Sequence, residues 1–198
     1  EEAELALVHL KGIKAKRSES EALSERLSAY KVFKEHIDNG RYAVAYDLAF
    51  KNPAFKESLA YKGMEQEWQK TYDRASRLLQ DKRTEAQGMA LLAPFRGISE
   101  KTAAIRELVD ASQRYLFFKE LISRQEWKKA CDLVRHNPQL RNSNAYKALL
   151  DVADKLFISA QKAYSAKDYK SARAACETLL AFADYKEDAK ALLDRMKG

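Results

Sequence analysis

The sequence predicts an all-α protein, an α-solenoid of about four helical hairpins made of two duplicated 85-residue units and closed by a C-terminal capping helix. Three features carry that expectation. Helix-breaking residues are scarce: 6 Gly and 3 Pro in 198 residues fall well below the roughly 12% of average usage. Sliding the chain by 85 residues lays one half over the other without a gap. Apolar residues within each half recur at spacings of three and four, which keeps one face of a 3.6-residue helix apolar.

Residues 1–17 lie outside the repeat. Leu5 to Ile13 is apolar enough for a strand or short helix and reads as the edge of a preceding domain, with Lys11, Lys14, Lys16 and Arg17 as a solvated linker. A start at Glu1-Glu2, without Met or a secretory signal, reads as part of a longer protein. The repeat domain then spans 18–198, as units 18–99 and 100–198. At the 85-residue offset Tyr30 meets Tyr115, Phe33 meets Phe118, Ala45 meets Ala130, Asn52-Pro53 meets Asn137-Pro138 and Ser58 meets Ser143. So many identities at one offset argue for duplication.

Each unit holds two hairpins. The short second helices read Tyr42-x-x-Ala45-x-x-Leu48, Arg83-x-x-Ala86-x-x-Met89, Trp127-x-x-Ala130-x-x-Leu133 and Tyr169-x-x-Ala172-x-x-Ala175, starting 41, 44 and 42 residues apart. A longer helix precedes each, striped by Met64, Trp68, Tyr72, Ala75 and Leu79 in one case and Leu149, Ala153, Phe157, Ala160 and Tyr164 in another. The small central Ala lets the short helix approach the long one. Between hairpins, Pro53, Pro94 and Pro138 stop the short helix. Ser58, Ser99, Ser143 and Asp188 stand where a side chain can cap the next one, and Phe55, Phe95, Leu140 and Tyr185 stand where an apolar side chain can staple it. The last helix starts near Asp188.

The pattern resembles the tetratricopeptide repeat, most clearly in Ala160, Asp168-Tyr169 and Ala172, which match the family's small residue in the first helix, acidic-aromatic pair at the turn and Ala early in the second helix. The resemblance covers roughly 18–198, with a period of 41 to 44 residues where the family has about 34. Longer first helices account for the difference, and a HEAT-like solenoid has a similar period. The resemblance implies a non-catalytic scaffold whose concave face, lined by first helices, holds a peptide or another protein.

The net charge of +7 is uneven: residues 1–100 hold 17 basic and 16 acidic side chains, residues 101–198 hold 19 and 13. One charged feature survives the duplication, because Lys62, Lys70 and Arg77 recur as Lys147, Lys155 and Lys162. Lys70 falls about 200° from Trp68, opposite the apolar stripe, where a groove-lining cation could grip carboxylates or phosphates. The plainer alternative is a solvated helix face. Interleaved acids make nucleic acid a less favoured partner than a protein or peptide, and a self-assembling spacer is a further alternative. His9, His36 and His136 have no ligand-spaced partner, and Cys131 and Cys176 read as small buried hydrophobes. Neither catalysis, a metal nor a cofactor is expected. The longest apolar run, Met89 to Phe95, is far short of the roughly 20 residues that span a bilayer.

Overall fold

The computed structural model describes residues 16–197, which form nine α-helices and, among the described residues, no strand. Leu5 to Ile13, His9, Lys11 and Lys14 lie outside the described residues. The chain divides into two compact units, the first ending at Asp110 and the second beginning at Ala111.

The first unit contains α1 (Arg17–Asp38), α2 (Tyr42–Lys51), α3 (Leu59–Leu78), α4 (Glu85–Leu92) and the first turns of α5 (Ser99–Ser123). Helix α1 packs on α2, and α3 on α4. Arg17 opens α1 and pairs with Glu21 at 3.3 Å, so it belongs to the helix and not to a linker. The core joins Phe33, Ala45 and Ala49 to Met64, Trp68, Ala75 and Leu79, then to Leu92, Phe95, Ile98, Ile105 and Leu108. Phe33 stacks on Phe55 with centroids 5.1 Å apart, and Tyr42 on Phe95 at 4.7 Å. The residues of the 3-10 turns after each short helix are thus the rings that close the core, as the staple positions require.

The second hairpin departs from the sequence pattern. Ala86 is exposed, and Gly88 is the buried small residue. A Cβ added at Gly88 would stand 2.9 Å from Leu79 Cγ and 3.3 Å from the Ala75 carbonyl. Close approach of α4 to α3 therefore runs through Gly88, and the pattern centred on Ala86 is displaced by two residues. The longer bend between them is held by Thr84 Oγ1 donating to the Leu78 carbonyl at 2.7 Å.

The second unit contains the rest of α5, then α6 (Trp127–His136), α7 (Asn144–Ser165), α8 (Tyr169–Leu179) and α9 (Lys186–Arg195). Helix α8 packs on both α7 and α9. Its core runs from Phe118 and Leu121 through Ala130, Val134 and Leu140 to Leu149, Ala153 and Ala160, ending on Cys176, Leu179, Phe182, Ala189 and Leu192.

Local geometry recurs at positions 85 residues apart. Ser58 and Ser143 each accept a backbone N–H, from Tyr61 and Tyr146, at 3.2 Å, and each donates to the carbonyl three residues back at 2.6 Å. The bend after α1 has Gly40 at φ +68° with Arg41 N–H bonded to the His36 carbonyl at 2.8 Å; the bend after α5 has Gln125 at φ 58° with Glu126 N–H bonded to the Leu121 carbonyl at 2.9 Å. After α7 the same left-handed turn falls on Lys167, with Asp168 N–H bonded to the Ala163 carbonyl at 2.9 Å. This is the bond pattern of a Schellman helix end.

Two of the four expected caps take another form. Ser99 is the first residue inside α5, and the Ile98 carbonyl before it receives the N–H groups of Lys101 and Thr102, each at 2.9 Å. Asp188 lies inside α9, which begins at Lys186, so its carboxylate sits in the first turn and favours the helix through its charge.

Candidate partner-binding surfaces

The cations repeated in the sequence are placed on two long helices. In the first unit, Lys62, Lys70 and Arg77 are exposed on α3, turned away from buried Met64, Trp68 and Ala75. In the second, Lys147, Lys155 and Lys162 are exposed on α7, turned away from buried Leu149, Ala153 and Ala160. Among the described residues, none of the six makes an ion pair. Asp73, the acid on the α3 face, accepts instead from Gln69 at 2.9 Å. None of the six lines either of the two concavities of the second unit described next.

A groove does lie between the long helix α7 and the last helix, α9, of the second unit. About 510 Å³ opens between α7, through Phe157, Gln161, Tyr164 and Ser165, and α9, through Asp188, Ala191, Leu192 and Arg195. Tyr185 fixes one end: its ring lies 5.8 Å from Phe157, and its hydroxyl donates to Asp154, which pushes the phenol up to about 12. At the other end Tyr164 packs against Tyr169 at 5.8 Å. A second concavity, about 920 Å³, opens on the α6 and α8 side over Trp127, Leu180 and Ala181. Two ion pairs lie on its rim, Lys129 with Glu126 and Arg135 with Asp132 at 3.2 Å.

The first unit holds a polar cluster that the sequence pattern gives no sign of. Glu65 on α3 accepts from the Tyr46 hydroxyl of α2 at 2.8 Å and from Lys101 Nζ of α5 at 2.7 and 2.9 Å. Lys101, only 12% exposed in its side chain, also sits 5.1 Å from the Tyr46 ring centroid and 5.4 Å from that of Trp68. Burial pushes the Glu65 carboxyl up, but the bonds from Lys101 and Tyr46 and the Lys101 charge outweigh it and hold the group below the usual range. Burial and the Glu65 charge push the Tyr61 hydroxyl up to about 12. At the 85-residue offset Tyr46 meets Cys131 and Glu65 meets Leu150, so the cluster is particular to the first unit. It ties three helices together.

Cys131 is half-buried and Cys176 fully buried, and burial pushes both thiols up, Cys131 to about 11. They pack as small hydrophobes. His136 lies in the last turn of α6, where Nδ1 meets the Asp132 carbonyl at 2.8 Å. Among the described residues no group of His, Cys, Asp and Glu could hold a metal ion, and no helix is long and apolar enough to cross a membrane. Comparison with protein-family models, curated proteins and solved structures returns no match. The α7–α9 groove escapes sequence reading because its walls mix ring edges, an amide and two charges, none of which stands out from an ordinary amphipathic helix.

Proposed function

We propose that the chain is a non-catalytic interaction scaffold, a tetratricopeptide-like solenoid built by duplication, which holds a peptide or partner protein on first-helix surfaces. The single observation that supports this most is the open groove between the long helix α7 and the capping helix α9, with aromatic rings on one wall and the exposed charges of Asp188 and Arg195 on the other. Support for the duplicated design comes from the matching caps at Ser58 and Ser143 and the matching left-handed bends at Gly40 and Gln125. A preformed groove on rigid helices binds with little ordering cost. Lys147, Lys155 and Lys162 on α7, and Lys62, Lys70 and Arg77 on α3, then act as unpaired positive fields that speed the approach of an acidic partner.

The test is selection of short random peptides displayed on phage against the whole chain, followed by the blocking variant Ala191→Trp. Enriched peptides that lose binding to this variant support the reading. Failure to enrich any peptide contradicts it. The unpaired cations favour a second reading, an anionic chain such as nucleic acid laid along α3 or α7, which predicts affinity falling steeply as salt rises.

A further inference from the structure

Helix α9 carries charges on two faces, and its ion pairs lie on one of them. On the outer side Lys190 pairs with Glu187 at 2.8 Å and Lys197 with Asp194 at 2.7 Å. Asp188 and Arg195 line the groove, and among the described residues neither makes an ion pair. With Ala191 and Leu192 they occupy about 100° of the helix circumference, so two opposite charges bracket an apolar centre. Asp188 is also released from capping, since α9 starts two residues before it. Their spacing of seven residues places them about 10 Å apart along the axis, too far for each other and one at each end of the groove.

We infer that the groove selects a dipolar peptide segment: an apolar side chain seated between Phe157 and Leu192, with a basic residue on one side meeting Asp188 and an acidic residue on the other meeting Arg195. The inference rests on the peptide-binding reading above and adds its specificity. The charge separation corresponds to about seven residues of a helical ligand or about three of an extended one. Arg195 offers a planar fork that can take a carboxylate through two bonds, and Asp188 offers acceptors only, so the two ends are not interchangeable. A ligand carrying the charges in the wrong sense leaves like charges facing each other, which supplies the discrimination.

The experiment uses the displayed random peptides, the full chain, the single variants Asp188→Lys and Arg195→Glu, and the double variant. Enriched peptides are expected to carry the basic–apolar–acidic pattern at one of the two spacings. A synthetic peptide of that kind should lose about tenfold in affinity on either single variant, and a peptide with its two charges exchanged should bind the double variant better than the original chain. Recovery of binding by the exchanged pair guards against misfolding of the variants. Peptides that Ala191→Trp blocks but that are indifferent to both charge variants would overturn the dipolar inference while leaving the peptide groove standing. No enrichment at all overturns both.

Discussion

Glu65 shows how one residue can carry part of a fold that repetition alone does not explain. Its carboxylate gathers Tyr46 and Lys101 from two other helices, and Lys101 is nearly sheathed by the Tyr46 and Trp68 rings. Removing either charge leaves the other desolvated, so Glu65→Gln or Lys101→Met should each cost about 2 kcal/mol, read by denaturant unfolding. Because the Glu65 carboxyl is held below its ordinary value in the folded chain, its contribution is present above the unfolded pKa and disappears as pH falls through the folded one. The gap between the original chain and Glu65→Gln should therefore be full at neutral pH and close in acid. Gly88 makes a second claim at this scale. A leucine there must displace Leu79 and press on the Ala75 carbonyl, so Gly88→Leu should destabilise by about 1 to 3 kcal/mol despite leucine's better helix propensity.

Among the elements, the long helices and the two serine caps 85 residues apart are where the sequence is most readable. Ser58 and Ser143 were expected at helix starts and form the same two bonds at the same lengths. Ser58→Ala and Ser143→Ala should each cost about 1 kcal/mol, and by nearly equal amounts. Gln125 and Lys167 stand at left-handed bends without being glycine, so Gln125→Gly and Lys167→Gly should each stabilise by up to about 1 kcal/mol in thermal or denaturant unfolding. The long helices were readable because Met64, Trp68, Ala75 and their counterparts keep strict spacing. Ala86 misled because spacing alone cannot tell which of two small residues, Ala86 or Gly88, meets Leu79. Asp188 misled because an acid near a helix start serves equally as a cap or as a first-turn charge. The Glu65 cluster and the α7–α9 groove were not readable, since both depend on which side chains of separate helices meet.

For the molecule as a whole, the two units have cores of their own, one centred on Phe33, Trp68 and Phe95 and the other on Phe118, Ala160 and Leu179. Apart from the Glu65–Lys101 pair at the edge of the first core, the charges named above lie outside those cores. Reversing Lys70, Arg77, Lys155 and Lys162 to Glu changes only exposed cations, and should shift stability by no more than about 0.5 kcal/mol per substitution while slowing association of an acidic peptide. If α7 and α9 together form the receptor surface, hydrogen–deuterium exchange of the whole chain with and without a selected peptide will register it on those two helices. Protection gained within 157–165 and 188–195 is the predicted result. Protection appearing elsewhere, with those two segments unchanged, would contradict the account.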